Sequence, residues 1–292
     1  MLMRLFSLAP ALLATALCAQ DVVEPLQARV ADQQLVEGRI DWTNGVLTAY
    51  GEGIAPAEIQ DPAQRRLMGF RAAKAAAFRN LLELVGQVQI DARTTVGNAM
   101  LASDSIQTRV SGLIRGARVV PGSQQEKEGL YQVALHLELL DEFAAAVLPA
   151  ARRDSSEVPP AEAPAPASVP PRPYTGLIVD ARGLDLKPSM APRILSAGGR
   201  ELYSARAVDL AYARQLGVVG YDRDLDRASR SDRVGGEAAH PLIIRAQKAS
   251  GQYSAEVVIS NEDAVQVQMA DAHSPFLSQC RVVFVVGPAP AP

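Results

Sequence analysis

The chain contains little of the side-chain chemistry on which metal and nucleophilic sites depend. It has 2 cysteines, 3 histidines and 1 tryptophan among 292 residues. None of the histidines, His136, His240 and His273, has a partner at the spacing of a zinc site, which needs three or four ligands. A G-x-S-x-G nucleophile motif, a phosphate-binding loop and a complete dinucleotide fingerprint are also missing. We therefore expect no metal, no cofactor and no enzymatic activity.

Charge of one sign is not in excess either. The net charge is -3, with 48% hydrophobic and 21% charged residues. Those values are typical of a globular protein, and the length suggests about two domains. A weakly acidic chain has no overall attraction for nucleic acid, so we expect no nucleic-acid partner.

The first residues have the layout of a secretory signal peptide. Arg4 supplies a positive start, residues 5–17 form an apolar stretch, and small residues converge on Ala16, Cys18 and Ala19. The stretch is shorter than the roughly 20 residues that span a bilayer. Two forms of processing remain open. Ordinary cleavage would fall near Cys18 or Ala19, whereas lipidation would retain Cys18; Leu17 fits the lipidation motif poorly.

Proline divides the rest of the chain. Seven prolines lie in residues 159–173 and exclude a helix or a sheet interior there, so this segment is interpreted as a tether or as a docking strip for a proline-binding module. The predicted divisions are a signal peptide (1–19), a lead-in segment (20–40), an α+β domain (41–150), a Pro-rich linker (151–173), an α/β domain (174–287) and a Pro-rich tail (288–292).

The predicted N-terminal module consists of two helices on a mostly antiparallel sheet. Strands are expected at residues 46–53, 88–90, 113–120 and 130–139, and helices at residues 62–85 and 103–110. The long helix should bury an apolar face, which comprises Leu67, Phe70, Ala73, Ala77, Leu81 and Val85. Its cations, Arg65, Arg66, Arg71, Lys74 and Arg79, form either a solvated face or a surface for an acidic partner.

The C-terminal module is predicted to be α/β. Short apolar strands are expected at residues 177–179, 257–259 and 282–286, a hairpin turn near residues 197–199, and helices at residues 207–216 and 262–270. Cys280 opens the last apolar run, so we interpret it as a buried small side chain, with an intermolecular disulfide as the alternative.

Two groups of charged residues in this module could either bind a ligand or form structural ion pairs. Asp180 and Arg182 follow a buried strand, where open α/β sheets place ligands, but they could equally form a structural pair. The alternating acids Asp222, Asp224 and Asp226 suggest calcium, yet the helix-loop-helix motif needs glycine and glutamate where Arg227 and Arg233 stand. We expect a solvated, salt-bridged loop.

Four stretches of the first module carry a family resemblance: GEG, residues 66–98 (RLMGFRAAKAAAFRNLLELVGQVQIDARTTVGN), residues 112–120 (GLIRGARVV) and LYQVALHLEL. In this order they resemble the LPP-twenty lipoprotein family and the N-terminal domain of flagellar assembly protein T. It implies an exported protein of the cell envelope, in some members tied to flagellum assembly or the outer membrane, and it carries over no catalytic residue.

The expected function is therefore that of a non-catalytic structural or assembly protein of the periplasm or outer membrane, with other envelope proteins as partners. The alternative is a periplasmic protein that binds a small ligand through its second module, with Asp180 and Arg182 at the mouth of the site.

Overall fold

A computed structural model describes residues 32–35, 37–154 and 172–288. The expected signal peptide with Cys18, most of the Pro-rich linker and almost all of the C-terminal tail lie outside the described residues. Within the described ranges, no helix has the length and apolarity needed to cross a membrane.

The N-terminal half is an antiparallel sheet with helices packed against it, which confirms the predicted α+β class. The sheet has the order β1-β2-β3-β6-β4, with β5 also paired to β6. Its strands are β1 (Asp32–Leu35), β2 (Gly38–Asp41), β3 (Val46–Ile54), β4 (Arg118–Val119), β5 (Gln125–Lys127) and β6 (Leu130–Glu138). The helices are α1 (Pro62–Gln87), α2 (Val96–Ala102), α3 (Asp104–Arg115) and α4 (Glu142–Asp154).

Helix α1 begins as its sequence predicts but buries a slightly different face. The Asp61 carboxylate accepts the Gln64 N–H at 2.7 Å and caps the helix, with Pro62 in the first turn. Ala73, Ala77, Leu81 and Val85 are buried against the sheet as expected. The expectation is wrong for Leu67, which is 70% exposed. Instead, Gly69 allows the helix to approach the ring of Tyr131 on β6.

One predicted strand of this half is absent and another is shorter than predicted. Residues 88–95 form a loop, in which the Asp91 carboxylate accepts the Arg93 and Thr94 N–H groups. Val88 and Ile90 are buried there without a strand, because this turn leads directly into α2, capped by Thr95. Residues 113–115 are the last turn of α3, and only Arg118–Val119 pair with β6. Helices α2 and α4 were not predicted.

The C-terminal half contains two four-stranded sheets and short helices, as an α/β module should. The parallel sheet has the order β10-β14-β7-β11 and the mixed sheet the order β12-β13-β8-β9. The strands are β7 (Leu177–Asp180), β8 (Ile194–Ser196), β9 (Glu201–Tyr203), β10 (Gly220–Asp222), β11 (Leu242–Arg245), β12 (Lys248–Ser250), β13 (Glu256–Ile259) and β14 (Val282–Val285). The helices are α5 (Leu210–Leu216), α6 (Leu225–Ser229) and α7 (Asn261–His273).

Several local predictions for this half are confirmed. Strand β14 is apolar and central in the parallel sheet, between β10 and β7. Gly217 ends α5 with a φ of 78°, a conformation that glycine adopts without strain. The Ser260 hydroxyl accepts the Asp263 N–H at 2.9 Å and caps α7. Cys280 is fully buried and is a free thiol.

The two halves pack directly against each other. One hydrophobic core runs through both. Main-chain hydrogen bonds join them, from the Ala191 N–H to the Ile90 carbonyl and from the Asp141 N–H to the Arg214 carbonyl, each at 2.7 Å. Trp42 also contacts Tyr221 edge to face, with ring centroids 5.8 Å apart. The described parts of the two predicted domains therefore share one interior.

Candidate functional site

The predicted ligand residues Asp180 and Arg182 lie at the carboxyl edge of the parallel sheet. The strands are in register there, so Asp222, Val285, Asp180 and Arg245 form one row across β10, β14, β7 and β11. Side chains in one row of a parallel sheet lie on the same face. The row therefore brings together two carboxylates and a cation at the edge where open α/β sheets bind ligands.

Asp180 and Arg182 form a closed pair. The Arg182 guanidinium donates from Nε to Oδ1 at 2.9 Å and from Nη2 to Oδ2 at 2.7 Å. The Arg182 main-chain N–H also donates to Oδ1, at 3.1 Å. These hydrogen bonds, and the charges of Arg182 and Arg245, hold the pKa of Asp180 below its usual value although partial burial opposes them. Asp180 therefore stays ionised at neutral pH.

A second, equivalent pair lies on the other side of Val285. The Arg227 guanidinium donates to Asp222, from Nε to Oδ2 at 2.7 Å and from Nη2 to Oδ1 at 2.5 Å. Asp224 caps α6 by accepting the Arg227 N–H at 2.9 Å. The expected salt bridge is confirmed, but Asp222 is buried, so the pair is not in a solvated loop.

This geometry limits what the edge can do chemically. Each carboxylate accepts two parallel donors from its arginine, which is the strongest arrangement for such a pair. Neither pair leaves a proton to transfer or a nucleophile to activate, and a ligand would have to replace one arginine–aspartate contact. Over the described ranges, no three His, Cys, Asp or Glu side chains are grouped so that they could hold a metal ion.

The remaining sequence candidates are dispersed. The His240 ring stacks on Tyr174 with centroids 5.0 Å apart, and a ring nitrogen of His273 lies 2.7 Å from the Met269 carbonyl oxygen. His136 is half-buried on β6. Cys280 lies in the core, where burial raises its pKa to about 11. The structure does not bring any two of these side chains into one site.

One buried charged cluster was missed from the sequence. The Arg193 guanidinium donates from Nε to Glu256 at 2.7 Å and from Nη1 to Glu201 at 3.3 Å, and a further Nη2 contact reaches Glu256. Burial lowers the pKa of Arg193, but the hydrogen bonds and charges of the two glutamates outweigh it and raise the pKa overall. Arg193 and Glu256 are 63 residues apart, so no local pattern predicts the contact.

The chain is thus an α+β protein whose second half is built around a parallel sheet with an ion-paired carboxyl edge. Residues 176–288 match the family model described as Treponema pallidum Tp0624, second domain. The match covers the α/β half and ends at residue 288, the first residue of the predicted C-terminal tail. No curated protein matches the chain. The resemblance of the first half to the LPP-twenty family lies outside the matched residues and stays a prediction.

Proposed function

We propose that this protein is a non-catalytic component of the bacterial cell envelope that acts by binding other envelope proteins. The leader-like first residues support export. The match of the second half to a domain of a Treponema pallidum protein supports a bacterial setting. The observation that carries the binding role is an exposed stripe of side chains on α1.

The α1 stripe consists of Leu67, Arg71, Lys74, Phe78 and Leu82. Their spacings of four, three, four and four residues place them on one side of the helix. Leu67 is 70% exposed and Leu82 49% exposed, while Phe78 is half-buried. At 1.5 Å per residue the stripe is about 22 Å long. Two cations thus lie between the exposed side chains of Leu67 and Leu82 along about four turns of the helix, with Phe78 partly packed against the core.

The charges of the stripe are available to a partner. Within the described part of the chain, Arg71 and Lys74 form no ion pair; Lys74 lies over the Phe78 ring at 5.7 Å. An acidic, partly apolar protein surface is complementary to this arrangement, because the aliphatic side chains lose water contact while the cations gain partners. An acidic protein partner is therefore the occupant that we propose for the α1 stripe.

Site-specific photo-crosslinking in intact cells tests this role. A photoreactive amino acid at position 67 or 82 should give the same crosslinked envelope proteins in repeated experiments. Position 101 is the matched control, since Leu101 is 89% exposed but lies on α2. The paired substitution R71E/K74E should remove the crosslinks, while Arg109→Glu on α3 should leave them. Absence of any recurrent crosslinked protein contradicts the proposal.

Export and the lack of catalysis have separate tests. The intact mass of the mature protein shows whether the leader is removed and whether Cys18 is retained with acyl chains. An unprocessed chain in the cytosol contradicts the envelope assignment. A hydrolase screen that finds turnover, abolished by one side-chain substitution, contradicts the non-catalytic assignment.

The alternative function, binding of a small ligand at Asp180 and Arg182, makes a different prediction. A polyol, a peptidoglycan fragment or a divalent ion should then raise the thermal unfolding midpoint, and Asp180→Ala should abolish the rise. The closed pair described above favours a structural role for both residues, because a ligand must first break two short hydrogen bonds.

A further inference from the structure

A small cavity lies where the two halves of the protein meet. Its volume is about 40 Å³, and both halves contribute to its wall. The N-terminal half supplies Trp42, Leu140 and Leu148, and the C-terminal half supplies Met190 and Tyr221. A single water molecule needs roughly 10–15 Å³ of such space, so the cavity has room for a group of a few bonded heavy atoms.

The Ser189 hydroxyl is an unsatisfied polar group in this wall. Ser189 is 1% exposed, and its Oγ has no hydrogen-bond partner among the residues that the structure describes. Its main chain is fully occupied, since the Ser189 N–H donates to Tyr221 Oη at 3.0 Å and the Tyr221 hydroxyl donates to the Ser189 carbonyl at 2.9 Å. A buried hydroxyl without a partner is unfavourable, so an occupant that accepts a hydrogen bond from Ser189 Oγ would stabilise the folded protein.

Arg233 supplies a cation to the same cavity without a carboxylate to balance it. Its guanidinium donates to the Gly217 carbonyl at 3.1 Å, to the Cys280 carbonyl at 2.7 Å and also to the Leu216 carbonyl. The Leu216 and Gly217 carbonyls close the C-terminal end of α5, where a positive charge is favourable. Across the residues that the structure describes, Arg233 forms no ion pair. An anion is the ligand that would complete its charge balance.

We infer that this cavity binds a small monocarboxylate, of acetate to propionate size, with its carboxylate on Arg233 and the Ser189 hydroxyl. The alkyl end packs among the apolar wall residues Trp42, Leu148 and Met190. Dispersion and the loss of water contact stabilise the alkyl end in the cavity. Charge-assisted hydrogen bonds from Arg233 hold the carboxylate end. The inference is independent of the proposed envelope function. Because both halves form the wall, the ligand also stabilises their contact.

Thermal unfolding and titration calorimetry of the full chain test the inference. At constant ionic strength, replacing sodium chloride with sodium acetate or propionate should raise the unfolding midpoint by about 3 °C at ten times the dissociation constant. Acetamide, the uncharged analogue of acetate, should give no rise. Calorimetry should show one site per chain.

Two substitutions locate the site. Ser189→Ala removes only the unsatisfied hydroxyl, so the protein should stay folded and bind acetate about tenfold more weakly. Ser204→Ala is the matched control, because Ser204 is also 1% exposed but lies outside this cavity wall. Ala144→Leu, which fills the cavity, should abolish binding.

Three outcomes overturn the inference. The first is an equal unfolding midpoint in chloride and in acetate at all concentrations. The second is an equal rise of the midpoint with acetamide and with acetate. The third is an acetate affinity that Ser189→Ala and Ala144→Leu leave unchanged. The first would mean that the cavity holds only water or chloride, and the last that acetate binds elsewhere.

Discussion

The ring of Tyr131 lies against the main chain of Gly69, so that a Cβ atom at position 69 would fall 2.1 Å from Tyr131 Cδ2. Tyr131 is 2% exposed and also contacts Phe70 edge to face, with centroids 5.1 Å apart. This contact sets how closely α1 can approach β6. The contact joins a residue of α1 to a residue of β6 that lies 62 positions later in the sequence.

Gly69→Ala should therefore destabilise the protein. Alanine gains about 1 kcal/mol over glycine within a helix, but displacing the buried Tyr131 ring costs about 1–3 kcal/mol or more, so the net effect is a loss. Chemical denaturation measures it. Gly112→Ala in α3 is the control, because a Cβ there meets no atom within 4 Å and should stabilise the protein by up to about 1 kcal/mol. Equal effects of the two substitutions would contradict the packing described here.

Ser260→Ala should cost about 1 kcal/mol of unfolding free energy, because the Ser260 hydroxyl caps α7 by accepting the Asp263 N–H. Ser103 precedes α3 in the same position but makes no capping hydrogen bond to the helix. Ser103→Ala should therefore change stability much less. Urea denaturation of both variants provides the comparison, and a larger loss for Ser103→Ala would be inconsistent with the structure.

The contribution of Asp180 should depend on pH. Because the pKa of Asp180 is lowered in the folded state, its ionised form stabilises the protein above the unfolded pKa near 3.8, and this contribution is lost as pH falls through the folded pKa. Asp180→Asn should be less stable than the wild type at pH 7, and the difference should shrink below about pH 4. Denaturation curves at pH 7, 4 and 3 measure it. If the stability difference between Asp180→Asn and the wild type grew as the pH fell, the lowered pKa of Asp180 would be contradicted.

Asp271 should show the opposite dependence. Burial raises the pKa of Asp271, although hydrogen bonds from the Leu277 and Phe276 N–H groups oppose the shift. The folded protein then holds a proton that the unfolded chain releases, so Asp271 costs stability as pH rises above about 3.8. In denaturation curves at pH 7, 4 and 3, Asp271→Asn should reduce this fall in the free energy of unfolding with rising pH. A decline that persists in the variant would assign it to another group.

Cys280 should be unreactive in the folded protein. Its thiol is buried and has a pKa of about 11, so only about one molecule in a thousand carries the thiolate at pH 8. In a C18S background, iodoacetamide should label Cys280 only after denaturant is added. Rapid labelling of the native protein would show that the core around β14 opens.

The halves should stay together without a covalent connection. A protease site placed between residues 155 and 171 would separate the chain after α4. Because one core and several main-chain hydrogen bonds join the halves, the two fragments should still elute together in size-exclusion chromatography. In the cleaved protein, Trp42→Ala removes the ring contact with Tyr221 and should promote separation of the two fragments. Fragments that elute apart in the wild type would contradict the shared interior.

Local patterns predicted those elements whose signals are contained within a few residues. The alternation in β6, the proline at the start of α1 and the serine cap of α7 each depend on neighbours in the sequence, and all three are confirmed. The pattern was insufficient for α4, because Pro149 lies inside this helix and proline normally interrupts one. It was misleading at residues 88–90, where the Asp91 turn ends the alternation.

The sequence by itself determined the fold class and the local character of elements such as α1, β6 and α7, because helix and strand periodicity are properties of adjacent residues. Only the tertiary structure decided that Arg193 meets Glu256 and that Ser189 and Arg233 line one cavity with Trp42. Those contacts join residues brought together by strand register and by the packing of the two halves, and no local pattern encodes either.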